Sequence, residues 1–320
     1  MEQTVAESQY AAALSVAEDP AVSSAERAEM LMEIALGLQT KPKSASQLRD
    51  AVALYQRALA EVPAAETVLQ ARIRARMGTA LQAIPDGGIS EMKQACECYE
   101  LALEVLNNLG KPEEVAEVEL NHGLVIQGLA GMGAGRIQEA IQCYHRALRV
   151  FTREKYPQEF AVLHNNLSIA YLSIPATDEQ GKIREALAVQ SFEEVLKVVN
   201  LIDHPNEYAM VQNNLGNALQ YVSSSHALEN NLRALTAYDE ALKVRTARDM
   251  PIEYANTIAN KANVLRNLPS DVGLNLEPVV QALALYREAQ ALFAQHGLAD
   301  RAELMAAAIA ETEADRHVLH

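Results

Sequence analysis

Three cysteines, eight histidines, one glycine run and a close set of arginines are the residues of this 320-residue chain from which chemistry could be built. Cys96 and Cys98 stand two apart, and side chains two apart on a helix point in different directions, so by themselves they cannot supply half of a zinc site. Cys98 and Cys143 each precede a tyrosine by one residue, which predicts buried free thiols that neighbour one another across adjacent helix pairs. No two histidines stand in an H-x-x-x-H relation, and His122 and His164 are expected to pack rather than ligate. The segment GLAGMGAGR (128–136) has the glycine density of a phosphate loop. It lacks a preceding strand, the Lys-Ser/Thr pair and the dinucleotide spacing, so it reads as a turn between helices. There is no G-x-S-x-G nucleophile turn and no metal-ligand cluster in the linear sequence. The expectation is a non-enzyme with no metal and no cofactor. Arg72 and Arg76, one helical turn apart with Arg74 between, could clamp an acidic tail through bidentate contacts; the competing reading is a solvated helix face.

The elements that must position these residues are set by a repeat. Ala, an aromatic four residues on, and Ala-Leu three further recurs through the chain, as in Ala51–Tyr55–Ala58-Leu59 and Ala140–Tyr144–Ala147-Leu148. The column aromatic falls at 10, 55, 99, 144, 192, 238 and 286, a period of about 46 residues. One large ring between small residues lets a neighbouring backbone approach while the ring fills the space above it. A period of this kind is the mark of a stacked array, because one unit cannot bury its own apolar face.

The array also has recurrent starts and stops. Pro112, Pro157, Pro205 and Pro251 each lie 13 residues after a column aromatic, and each is followed two residues later by an acid: Glu114, Glu159, Glu207 and Glu253. Proline suits the first helical turn, where its missing N–H would be unpaired anyway, and a carboxylate there meets the positive end of the helix dipole. Pro85, Pro175 and Pro269 mark helix ends, since a proline disfavours helix at the residue before it. These signals predict an all-α, right-handed α-solenoid of antiparallel helix pairs, each helix four to five turns long. Its expected organisation is one array over 1–320: an opening helix within 1–20, at about 4–17, six helix pairs over 21–298, and a capping helix and tail over 299–320.

Composition narrows the partner. A formal charge of −15 argues against nucleic acid and against anionic membranes, both of which draw on clustered Lys and Arg. The first residues, MEQTVAESQY, have no basic and apolar leader character, and no apolar run approaches the ~20 residues of a membrane span. Three cysteines are not a disulfide framework. A cytoplasmic protein is expected.

The helix QNNLGNALQY (212–221) followed by LRALTAYDEALKV (232–244) resembles the tetratricopeptide repeat, as do HNNLSIAYL and AIQCYHRAL. The usual period of that family is about 34 residues, so each unit here gains residues in its connections, which implies longer helices. Long repeats with a P-x-E-[FY]-A start and an NNL core resemble those of kinesin-light-chain-type proteins, and still more those of bacterial arrays that precede a CHAT protease domain. The chain has no length left for such a domain, so protease activity is not expected.

The resemblance implies that the first helix of each pair lines a groove for an extended peptide or tail of a partner protein. Carried over position by position, it assigns that groove Gln82, Gln127, Asn165, Asn213, Asn217, Gln220, Asn263 and Arg266, with Arg266 offered to a carboxylate, and Arg72 is added to it from the arginine set. An amide has both donors and an acceptor, so a row of them can hold a backbone without reading its side chains. A companion column, Asn121, Asn166, Asn214 and Asn260, is read instead as a structural inter-helix hydrogen bond. The alternative function is a scaffold or maturation factor for a larger enzyme complex, acting through its outer surface or through self-association of the opening helix around Tyr10.

Overall fold

A computed structural model describes residue 15 and residues 21–40, 42, 44–85, 87–174, 179–222, 226–269 and 277–318. Among these residues there are thirteen α-helices and no strand. Apart from Ser15, the expected opening helix and Tyr10 lie outside the described residues. The chain divides into two compact units, 1–156 and 157–320.

The first unit holds three helix pairs: α1 (Ser24–Thr40) with α2 (Ala45–Glu61), α3 (Thr67–Gln82) with α4 (Ile89–Leu109), and α5 (Pro112–Gly131) with α6 (Ile137–Ala147). The second holds α7 (Pro157–Leu172) with α8 (Glu179–Val195), α9 (Pro205–Tyr221) with α10 (Ala227–Leu242), and α11 (Pro251–Arg266) with α12 (Pro278–Gln295). A further helix, α13 (Ala299–Val318), packs on α12. Within each unit the second helix of one pair packs on the first helix of the next, so each unit is an all-α solenoid of stacked pairs.

Helix starts obey the proline-acid signal. α5, α7, α9 and α11 begin at Pro112, Pro157, Pro205 and Pro251. At α5 the acid closes the turn as well as facing the dipole: Glu114 Oε2 accepts the Lys111 N–H at 3.0 Å. The core is the repeated stamp itself. Tyr55, Tyr99, Tyr144, Phe192, Tyr238 and Tyr286 are all buried, as are the alanines four residues before each of them.

Longer helices are not what the long period produces in every pair. α6 spans 11 residues and stops at Ala147, and α8 and α10 stop at Val195 and Leu242. In the segments LRVFT, LKVVN and LKVRT that follow, the ladder tightens to i→i−3 bonds, such as Val150 N–H to Ala147, Val198 to Val195 and Val244 to Ala241. The corresponding stretch of α4, LEVLNNL, by contrast stays helical to Leu109. The extra residues of these three pairs go into turns.

Every pair, whether helix or turn at that point, still buries one side chain seven residues beyond the column aromatic. It is apolar in five pairs: Val62, Leu106, Phe151, Val199 and Phe293. In the pair α9/α10 the same register holds Arg245, only 8% exposed. Its Nη1 donates to Thr257 at 2.9 Å, while its buried Nε has no hydrogen-bond partner.

Candidate functional site

Each column aromatic fixes the face of the first helix in its own pair. At Gly78, Gly123 and Gly216 a Cβ would stand only 2.9, 2.5 and 2.6 Å from ring atoms of Tyr99, Tyr144 and Tyr238. Glycine is therefore required by close approach of the ring. The same register in the other first helices holds Ala35, Ser168 and Ala262, all buried with small side chains.

The ring reaches past that small residue and ends in a hydroxyl, which must donate to something because it is removed from water. In five pairs the acceptor is an amide oxygen on the first helix. Tyr55 donates to Gln39 at 2.8 Å, Tyr99 to Gln82 at 3.2 Å and Tyr144 to Gln127 at 2.7 Å. Tyr238 donates to Asn217 at 2.7 Å with Gln220 at 3.4 Å, and Tyr286 donates to Asn263 at 2.6 Å. Burial raises the phenols of Tyr99, Tyr144 and Tyr238 well above their ordinary range, so the hydroxyls keep their protons. Each bond engages the amide oxygen and leaves the NH₂ as the group still able to donate.

Five residues assigned to a groove by resemblance, Gln82, Gln127, Asn217, Gln220 and Asn263, are thus also structural acceptors. Gln39 belongs to the same row and was missed. Its signal was available, for it stands 16 residues before Tyr55 where Gln82 and Gln127 stand 17 before theirs.

In the first unit one of these amides, Gln39, borders a cavity of about 230 Å³ lined by α1, α3, α4 and α5. Leu36, Gln39, Arg76, Thr79, Glu117 and Asn121 are among the residues lining it. Arg72 lines it too, but its guanidinium is already engaged, donating to both Glu114 oxygens at 2.8 and 3.2 Å. Arg76 is the less committed cation: Glu33 lies 4.0 Å away. The two arginines thus differ: Arg72 is paired within the chain, while Arg76 stays at the longer distance from its acid.

In the second unit Asn213 is buried and accepts from Asn260 at 3.4 Å while donating to Asn214 at 3.4 Å. The structural asparagine column and the groove column are joined there. Asn165 has a buried Oδ1 without a hydrogen-bond partner. Arg266 donates to Glu311 of α13 at 2.8 Å, so the carboxylate expected from a partner is supplied by the chain. In α7 the register of the amide row is apolar: Ile169 and Leu172 are exposed, in line with Val162.

The cysteines are arranged otherwise than the spacing suggested. It is Cys96 and Cys143, not Cys98 and Cys143, that share a neighbour. His122 on α5 has Nε2 3.2 Å from Cys96 Sγ and Nδ1 3.8 Å from Cys143 Sγ. Glu100, one turn beyond Cys96, places a carboxylate oxygen 3.7 Å from that sulfur. Beside them, Arg146 holds the buried Glu119 bidentately at 2.5 and 2.8 Å. Burial, aided by Glu100, pushes the Cys96 thiol up to about 12. Burial likewise lifts Cys143 to about 12 and Cys98 to about 11. His122 is held below its ordinary value by burial, which keeps the ring neutral near pH 7.

The architecture that positions these faces is that of a tetratricopeptide-type array. The chain is similar to BtubC (BKLC) from P. vanneervenii, a kinesin-light-chain-like tetratricopeptide protein, at 23% identity and a TM-score of 0.52. That similarity covers 77% of this chain and 92% of BtubC. The TPR2AB domain of yeast Sti1, in its complex with pHSP90, also matches, at 14% identity, 89% and 98% coverage and a TM-score of 0.30, too loose a superposition to argue from. No protein-family model and no curated protein sequence matches the chain. No helix among the described residues is long and apolar enough to cross a membrane.

Proposed function

We propose that the chain is a non-catalytic interaction module whose first-helix faces hold an extended segment of a partner protein. The observation that carries this reading is the hydrogen bonding of the amide row. With their oxygens engaged by tyrosine hydroxyls, Gln39, Gln82 and Gln127 in the first unit and Asn217 and Asn263 in the second keep their NH₂ groups as donors. Within one unit such a row matches the carbonyl oxygens of an extended backbone. Packed helices lie about 10 Å apart, and three residues of extended chain span about 10 Å, so every third carbonyl meets a donor. Arg76, at the cavity of the first unit, supplies a cation for an acidic side chain or a chain terminus.

The test separates the binding role of these amides from their structural role. Gln82→Glu with Gln127→Glu, both in the first unit, keeps an acceptor for each tyrosine but removes those donors. A partner is first captured from the native host, then titrated calorimetrically as a purified segment. The double variant is expected to bind at least ~10-fold more weakly, on the scale of two lost hydrogen bonds of about 1 kcal/mol each, with its helical circular dichroism unchanged. Undiminished affinity would refute the reading.

An assembly scaffold acting through other surfaces is the second reading, favoured by Ile183 and Ile202, 60% and 88% exposed. It expects self-association or co-purification that survives the double variant and changes when residues 1–20 are deleted or Ile202→Ser is introduced. A mass unaltered by both changes counts against it.

A further inference from the structure

The chemistry-bearing groups left over from the interaction reading gather at one place in the first unit, where α4, α5 and α6 meet. Cys96 and Glu100 lie one turn apart on α4, and His122 enters from α5. Their ligating atoms form a triangle: Sγ to Nε2 3.2 Å, Sγ to Oε1 3.7 Å, and Nε2 to Oε1 3.9 Å. The point equidistant from three atoms so spaced lies about 2.1 Å from each, close to the ~2.0–2.3 Å bonds that zinc makes to N, O and S. These side chains already stand where a small cation would need them, without movement of a helix.

From this geometry we infer that Cys96, Glu100 and His122 form a binding site for a divalent transition-metal ion, zinc by the chemistry of its donors. One thiolate, one imidazole and one carboxylate suit a borderline-soft ion and disfavour magnesium or calcium, which take oxygen ligands. The surroundings complete the site. His122 Nδ1 lies 3.8 Å from Cys143 Sγ, and the Glu119 carboxylate is within 4.8 Å of both side chains, polar surroundings of the kind that orient a metal-bound imidazole. Glu119 is itself oriented by Arg146, so this second group is a support and not a competing site. Binding exchanges the Cys96 S–H for an S–metal bond and releases the proton to solvent. Cys96 is half-buried and Glu100 exposed, which leaves the fourth position open to water or to Glu139, whose charge already bears on both Cys96 and His122. The ion would clamp the second helix pair to the third.

The inference is independent of the groove, and it is tested on the full chain, reduced and freed of metal by chelator, then titrated with Co²⁺ and with Zn²⁺. Expected is one Co²⁺ per chain with a thiolate-to-metal charge-transfer band, displaced by one equivalent of Zn²⁺. Cys96→Ser removes the band and weakens zinc binding at least ~100-fold, while Glu100→Gln, an exposed change that cannot disturb folding, keeps the band and weakens zinc about 10-fold, in the range seen when site groups are altered. Cys98→Ser leaves both unchanged. Absence of a charge-transfer band at stoichiometric Co²⁺, or a band that survives Cys96→Ser, overturns the site.

Discussion

The pairs α7/α8 and α9/α10 stand next to each other in the second unit and solve the same packing problem with opposite polarity. In α9/α10 the ring is Tyr238, the small residue beneath it is Gly216, and the hydroxyl ends on Asn217 and Gln220. In α7/α8 the ring is Phe192, the small position is Ser168, and the registers of the two amides hold Ile169 and Leu172. Where the hydroxyl is missing, both of its acceptors are missing too. The polarity of a first-helix face is therefore set by one atom on the second helix behind it, because a buried hydroxyl requires an acceptor and a bare ring does not. A partner lying along the second unit would meet a hydrogen-bonding stretch at α9 and an apolar one at α7.

Three changes probe this contrast, beginning with the largest. Gly216→Val forces a branched side chain into a space where even a Cβ would lie 2.6 Å from the Tyr238 ring; a loss of about 3 kcal/mol in chemical unfolding is expected from overpacking. Ser168→Ala, where a Cβ already fits, stays within about 1 kcal/mol of the parent protein. A Gly216→Val protein of parental stability would mean that ring and glycine do not define the face. Next, Phe192→Tyr buries a hydroxyl among apolar neighbours and should cost about 1–3 kcal/mol. Adding Ile169→Asn gives it an acceptor, so the double variant should recover part of that loss, and additive effects would break the link between ring and row. Smallest is Tyr238→Phe, which frees Asn217 Oδ1 on a half-exposed side chain that water can satisfy. A cost near 1 kcal/mol is expected, together with faster exchange of the Asn217 amide protons observed by NMR.

Much of the fold could be read from residue order because its signals are local. The proline two residues before an acid places four helix starts, and the Ala–aromatic–Ala stamp locates six buried columns within single turns of helix. The early stop of α6 was hidden, since the period implies helices of four to five turns in every pair. The amide row was half legible. Its positions followed from resemblance, but its bonds to Tyr99, Tyr144 and Tyr238 cross a helix turn and 17 to 21 residues of chain. The Cys96–His122–Cys143 group was not legible at all, because three separate helices contribute to it and no spacing of Cys or His announces it.

Arg245 carries a consequence for how the second unit comes apart. A linear stack is held by nearest neighbours alone, so its weakest junction decides where it parts. At the same register five other pairs bury an apolar side chain, but here a guanidinium fills the place, kept from water, with Nη1 bound to one hydroxyl and Nε without a hydrogen-bond partner. The expected outcome is a fault line between α10 and α11, across which α11, α12 and α13 peel away together as one cooperative block. Hydrogen exchange should show these three helices sharing a lower opening energy than α9 and α10, and Arg245→Leu should bring the two blocks level.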